Sequence, residues 1–169
     1  MGNSIVHGYL SLLVVFLPAM TANGAPVVFK GKRPLDLGRN FLDGKRIFGD
    51  GKTIEGLTVG VLAGFVIGLV ESLIAWNIFF AITGFIGGLS AMIGDLCGSF
   101  IKRRMGYERG EPVMVLDQLD FALCTTLAYY AYGLHMDPTS LLLVYVTIFL
   151  LHVTTNRLAF RLGLKDVPY

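Results

Sequence analysis

Apolar residues fall in five runs along the chain, Ser4–Ala22, Leu57–Ala75, Ile78–Ile101, Leu116–Leu134 and Ser140–Arg161. Each is close to the ~20 residues that a helix needs to cross a bilayer. The stretch from Leu57 to Ile93 carries a single charge, Glu71, and is too long for one crossing. Trp76-Asn77 therefore predicts a tight hairpin with the indole at an interface. Polar residues gather instead at about 23–55 and 103–115, which read as loops. The pattern predicts an all-α integral membrane protein with five transmembrane helices in one membrane domain, residues 1–169.

Composition agrees: 54% of the 169 residues are hydrophobic and 15% charged, and the mean hydropathy is +0.65, outside the usual soluble range. The net charge of +2 matters less than its placement. All 14 Lys and Arg lie in Lys30–Lys52, Lys102–Arg109 or Arg157–Lys165. With five crossings these regions share one face, which the positive-inside rule makes cytoplasmic. The N-terminus is then outside, the C-terminus cytoplasmic, and the loops at about 23–55 and 103–115 cytoplasmic. A cleaved signal peptide over Ser4–Ala22 is disfavoured, because it lacks a basic leader and its removal would export the basic loop behind it. Two cysteines, Cys97 and Cys124, both in apolar runs, support neither a disulfide framework nor a zinc site.

Small residues recur at helical spacing: Gly60, Gly64 and Gly68, then Gly84 with Gly88 and Gly94 with Gly98. Such stripes let helix backbones approach closely. The expected use is packing within one subunit, and a homodimer is left open. The segment Asn23–Glu55 holds seven of the 14 basic residues and is rich in glycine (Gly31, Gly38, Gly44, Gly49, Gly51). Its amides could approach a phosphate, or the loop could simply lie solvated against anionic lipid.

The chemistry concentrates where helices meet the basic face. An acid inside an apolar helix is costly and is retained mainly at a site, and Asp95 is such an acid. It lies roughly 25 Å along its run at 1.5 Å per residue, near the cytoplasmic end. Asp95, Ser99 and Lys102 share one helix face at i, i+4, i+7. Asp117 and Asp120 open the following helix, so three acids can converge at one depth. Magnesium suits them, since it is held by a few carboxylates with water and substrate phosphates. Lys102 and Arg103 could neutralise phosphate charge. A plainer account makes Asp117 and Asp120 helix N-terminal acids and Lys102–Arg104 topogenic, but leaves Asp95 unexplained.

Two similar motifs fail. Gly51-Lys52-Thr53 resembles the end of a P-loop, but Arg46 stands where the motif needs glycine and no strand precedes it. The Asp-x-x-Asp pair resembles CDP-alcohol phosphotransferases, yet Asp120 is followed by Phe121-Ala122-Leu123-Cys124 rather than their Gly-x-x-Ala-Arg. The fuller pattern Gly94-Asp95-Leu96-x-x-Ser99-x-x-Lys102-Arg103-x-x-Gly106, with Leu116-Asp117-x-x-Asp120 and the upstream Lys52-Thr53-Ile54-Glu55-Gly56, resembles the CDP-diacylglycerol synthases. Ala22-Asn23-x-x-Pro26, Arg33-Pro34-x-Asp36, Phe48-Gly49-Asp50-Gly51-Lys52-Thr53 and His152-x-x-x-Asn156 are similar to the archaeal branch, the CDP-archaeol synthases. Tyr107-Glu108, Gln118 and Val113-Met114-Val115 depart from the bacterial pattern.

The resemblance implies a cell-membrane, multi-pass enzyme with its active site on the cytoplasmic side. It implies that CTP and an isoprenoid ether-lipid phosphate (unsaturated archaetidic acid) give CDP-archaeol and pyrophosphate in phospholipid biosynthesis. Asp95, Asp117 and Asp120 would hold Mg²⁺ and, with Lys102, form the catalytic set. Lys52 and Arg103 would hold phosphates, and Asn23, Lys45 and Arg46 would contact nucleotide or headgroup. Thr53, Glu55, Ser99 and Asn156 complete the implied substrate-binding set. His152 reads as a core histidine, and no nucleic acid is expected as a partner.

Other readings remain at this stage: a synthase acting on ester-linked phosphatidic acid, an ion-conducting membrane protein, or a lipid-binding anchor. An ion path should run across the bilayer, but only Glu71 and Asp137 mark the far side. An anchor leaves the converging acids without a purpose, and no internal repeat suggests a transporter.

Overall fold

The computed structural model describes residues 2–29, 31–108, 110–113 and 115–164. Lys30, Arg109 and Lys165, which bound the basic regions, and Met114 lie outside the described residues. Five helices follow one another: α1 (Gly2–Val28), α2 (Ile54–Ala75), α3 (Phe79–Arg104), α4 (Leu116–Ala131) and α5 (Pro138–Arg161). Four of them, α1, α2, α3 and α5, are long and apolar enough to cross a membrane. The exception is α4, at 16 residues. Its expected run to Leu134 is cut short because Gly133 turns left-handed at φ 94° and its N–H donates to the Tyr130 carbonyl. At the other margin α1 runs past Ala22 through Asn23 and Pro26 to Val28. The first loop therefore starts at Phe29, and Asn23 belongs to a helix.

The ends are set by local chemistry. The Thr53 hydroxyl accepts from the Gly56 N–H at 3.0 Å and caps α2, the usual use of threonine at that position. At the far end Trp76 takes a left-handed conformation, φ 52°, and forms the expected hairpin with an indole 95% exposed. The Asp137 carboxylate accepts from the Ser140 N–H at 2.7 Å, and Pro138 starts α5, where its missing N–H costs nothing. Lys102, Arg103 and Arg104 close α3, where positive charge complements the helix dipole.

The glycine stripes are spent inside the subunit. A methyl at Gly64 would lie 2.6 Å from the Gly88 Cα, and one at Gly68 would lie 2.5 Å from the Gly84 Cα, so α2 and α3 touch through their backbones. Tyr129 of α4 is fully buried. Its hydroxyl lies 2.8 Å from the Val15 carbonyl of α1 and 3.1 Å from the Thr83 carbonyl of α3, while its ring meets Phe16 edge-on at 5.4 Å. Outward-facing Leu62, Leu73, Leu142 and Leu150 are exposed, as a lipid-facing belt requires.

The first loop is ordered without regular structure. Its two bridges join Pro34 to Thr53 and Asn40 to Arg46. Buried Asp36 accepts from the Gly38, Phe48 and Gly49 N–H groups and from Arg46 at 2.6 Å. Arg104 fastens the loop to α3: its guanidinium lies 5.0 Å from the Phe41 ring and 4.8 Å from the Phe100 ring and donates to the Arg46 carbonyl at 2.5 Å. Lys45 donates in return to the Arg104 carbonyl at 3.1 Å. Three of the glycine amides expected near a phosphate are thus taken, Gly38 and Gly49 by Asp36 and Gly44 by the Phe41 carbonyl.

Because Gly68 meets backbone, Gly68→Ala is expected to destabilise the protein by about 1–3 kcal/mol. Thermal unfolding in detergent checks this, with Leu62→Ala on the lipid-facing side as the mild comparison.

Candidate active site

One cavity of about 1040 Å³ opens where α1, the first loop and all of α2–α5 come together at the basic end. Of the residues singled out from the sequence, Asn23, Lys52, Thr53, Asp95, Ser99, Lys102, Arg103, Asp117, Asp120 and Asn156 all line it. Lys45, Arg46 and Glu55 do not. Arg46 is held by Asp36 and, at 2.8 Å, by Asp50, and Lys45 caps α3. Glu55 pairs with Arg33 at 3.0 Å. The reason is common to all three: each is held by an opposite charge or carbonyl outside the cavity, in the first loop for Arg46 and Glu55 and at the end of α3 for Lys45. Lys45 and Arg46 border a smaller cavity of about 370 Å³, which also touches Gly49, Asp50, Arg103, Tyr107 and Glu108.

The depth of the acids follows from two glycines. A methyl at Gly94 would lie 2.6 Å from the Asp120 carbonyl and 2.7 Å from the Phe121 Cα, and one at Gly98 would lie 2.9 Å from the Asp120 carboxyl carbon. α4 can therefore rest its first turns on the α3 backbone, bringing Asp120 level with Asp95 and Ser99. Asp117 is aimed by its own loop, accepting from the Val113 N–H at 3.0 Å. The turn before it is braced by Gln118, which accepts from the Val115 N–H at 2.6 Å.

The acids do not gather as a bare carboxylate cluster. The Lys52 ammonium lies 2.6 and 2.5 Å from the two Asp95 oxygens, and that of Lys102 lies 2.7 Å from Asp117. Among the described residues no three acidic, His or Cys side chains stand together as a metal-ligating group, although Asp95, Asp117 and Asp120 all line the one cavity. A carboxylate in a half-buried cleft takes the nearest ammonium as its partner, and both lysines are within reach. Asp120 forms no ion pair among the described residues. One of its oxygens accepts from the Phe121 N–H at 2.6 Å and the other faces Gly98. Arg103 donates to the Tyr107 carbonyl at 2.6 Å, and its buried Nε has no partner among the described residues.

In the loop, burial alone would push the Asp36 carboxyl up. The Arg46 guanidinium and the Gly49, Phe48 and Gly38 N–H groups outweigh it and hold the carboxyl well below its ordinary range. Asp36 thereby fixes the path of Phe48 to Lys52 along the cavity wall.

The chain matches the CarS-like CDP-archaeol synthase family over residues 5–169. It is 49% identical over 154 residues to the CDP-archaeol synthase of Methanopyrus kandleri, covering 90% of this chain and 89% of that one. It is 43% identical over 164 residues to that of Aeropyrum pernix, covering 97% and 94%. This chain belongs to the CDP-archaeol synthase family. Its fold is also that of a solved intramembrane enzyme for archaeal membrane lipids biosynthesis, with a TM-score of 0.82 and 43% identity over 87% of this chain and 93% of that one.

Within this CDP-archaeol synthase family member two residues carry more than the sequence suggests. His152, read as a core histidine, lines the cavity and stacks on Phe121 at 6.3 Å; its i, i+4 spacing to Asn156 was the available signal. Asp36 sits outside the cavity wall and organises it, and no spacing rule points to such a hub.

Gly98→Ala is expected to leave the fold intact and to cut activity about 10²-fold, the usual effect of an ångström-scale misplacement of a reacting group, here by displacing the Asp120 carboxylate. Turnover together with unfolding temperature checks it. Asp36→Asn is expected to cost about 2 kcal/mol at neutral pH. Because the folded carboxyl lies below its ordinary value, its contribution is complete above about pH 3.9 and drains away as pH falls through the lowered value. The gap in unfolding temperature between wild type and Asp36→Asn should therefore hold down to about pH 4 and close in stronger acid.

Proposed function

We propose that this chain transfers the cytidylyl group of CTP to an isoprenoid ether-lipid phosphate, giving CDP-archaeol and pyrophosphate. The observation that carries this is a cavity at the basic end that joins three acids and Lys52, Lys102 and Arg103 to an apolar wall from α1, α4 and α5 (Met20, Phe121, Ile148, Leu151), in a chain of this family. Phosphates fit the first part and isoprenoid tails the second. An ion path needs polar groups through the bilayer, whereas the acids here share one end.

The orientation we infer is N-terminus outside and C-terminus cytoplasmic, with α4 as a fifth crossing. It is supported by the placement of Lys32 to Lys52, Lys102 to Arg104, Arg157 and Arg161 at one end of the bundle and by the positive-inside rule. CTP would then enter from the cytoplasm. The glycine stripes, consumed between α2, α3 and α4, supply no face for a homodimer.

An oxygen of the lipid phosphate attacks the α-phosphorus of CTP. The new P–O bond forms as the bond to the β-phosphate oxygen breaks, and pyrophosphate leaves. The nucleophile is already anionic, so no base is needed, and the protein contributes alignment and charge. Lys52, Lys102 and Arg103 hold phosphate oxygens, while Asn23 and Asn156 offer hydrogen bonds to nucleotide or headgroup. The donor set fits Mg²⁺, a hard cation usually held by one or two carboxylates plus substrate phosphates. Asp120 is in no ion pair among the described residues, and Asp95 and Asp117 become available as their lysines turn to phosphate. When bound, Mg²⁺ supplies neutralisation of charge on the phosphates.

Purified protein given CTP labelled on the α-phosphate and an ether-linked lipid phosphate is expected to place label in extractable lipid with Mg²⁺ and not with EDTA. Asp120→Asn should reduce the rate by about two orders of magnitude. Preference for ester-linked phosphatidic acid would move the chain to the CDP-diacylglycerol reaction. Absence of transfer to either lipid by folded protein would overturn the reading.

A further inference from the structure

The two lysines best placed for phosphates are held by two of the three acids best placed for a metal. Lys52 sits on Asp95 and Lys102 on Asp117, all four half-buried. Asp120 is in no ion pair among the described residues, and Arg103 keeps an unpartnered buried Nε. We propose that Lys52 and Lys102 are placeholder cations that occupy Asp95 and Asp117 until a polyphosphate draws them off, so that the site binds a divalent metal–triphosphate chelate as a unit and each component alone only weakly. This rests on the cytidylyltransferase reading of the same site.

The physical reason is that an ammonium in contact with a carboxylate occupies the oxygens a metal would use. In a half-buried cleft, removing one member of such a pair strands the other without its counter-charge. A metal arriving alone must displace both ammoniums and then face them. A polyphosphate arriving alone draws the ammoniums away and leaves two carboxylates facing an anion. When both arrive together, phosphate oxygens take the lysines as the metal takes the aspartates, and every charge changes partner without being stranded. Asp120 and Arg103 stand outside this exchange, the one open to the metal and the other to phosphate from the start.

The geometry also permits the exchange. Lys52 comes from the first loop, whose path is held independently by Asp36 and by the Arg104 clamp. Lys102 comes from the last turn of α3. Neither pair is needed to hold helices together, since α3 and α4 already meet through Gly94 and Gly98.

The test uses the purified full chain in detergent and reads binding. Mn²⁺ is titrated without nucleotide and followed by the electron paramagnetic resonance signal of the free ion. The double variant Lys52→Gln, Lys102→Gln is expected to bind Mn²⁺ about tenfold tighter than wild type, a typical size for a coupling between ligands. Equal or weaker binding by the folded variant overturns the proposal. In the reciprocal arm, inorganic tripolyphosphate is titrated calorimetrically with EDTA present. Asp95→Asn, Asp117→Asn should bind it about tenfold tighter than wild type, and unchanged affinity again overturns the proposal. If the lysine variant fails to fold, the tripolyphosphate arm decides. Purely structural ion pairs would lower the unfolding temperature in both variants and tighten neither ligand. Cytidylyl transfer by the wild type, assayed alongside, bears only on the reaction assigned to the site, so the two failures are distinguishable.

Discussion

Where α4 rests on α3, Gly94 meets the α4 backbone at Asp120 and Phe121 and Gly98 meets the Asp120 side chain, and the site inherits its dimensions from that contact. Helices in a membrane gain little from hiding apolar surface from each other, because lipid is equally apolar, so close packing decides how they associate. α2 uses the same device against α3 through Gly64 and Gly68. The result is a bundle rigid at mid-depth whose α3 is approached from two sides. Asp95, Ser99 and Lys102 project from α3 into a cleft that α4 closes with Asp117 and Asp120. A wider spacing would move Asp120 away from the α3 face and separate the acids.

Around this frame the first loop acts as a shaped wall. Its shape owes little to regular hydrogen bonding and much to one buried carboxylate, which gathers three N–H groups and a guanidinium around itself. Arg104, held between two aromatic rings, ties that wall to the end of α3. Cations that count as a uniform basic patch in the sequence therefore divide into two kinds. Lys45, Arg46 and Arg104 build the loop, while Lys52, Lys102 and Arg103 face the cavity.

This division marks how far the sequence could be read. Apolar run length and the Trp76 hairpin locate the helices well, because burial in lipid leaves a strong and local signature. The margins are harder. α1 continues through Asn23 and across Pro26, since proline is tolerated in membrane helices, and α4 stops at a glycine that composition alone does not flag. Spacing along α3 correctly places Asp95, Ser99 and Lys102 in one cavity, because helical periodicity is a local rule. It cannot tell Lys52 from Lys45, since that depends on which partner each meets after the loop has folded. His152 escaped for the same reason, being placed by a contact with Phe121 on another helix.

The brevity of α4 has a consequence for the surrounding membrane. Its 16 residues span about 24 Å at 1.5 Å per residue, short of the roughly 30 Å of hydrocarbon in a typical bilayer. Lipids accommodate a short crossing by thinning locally, so with α4 as the fifth crossing inferred above the leaflet beside it dips. The acids stand at the start of that helix, at the bottom of the dip. A lipid headgroup there descends to the level of Asp117 and Asp120 with its tails still in its own leaflet. The helix that carries two of the acids thus also draws the water interface down to meet them.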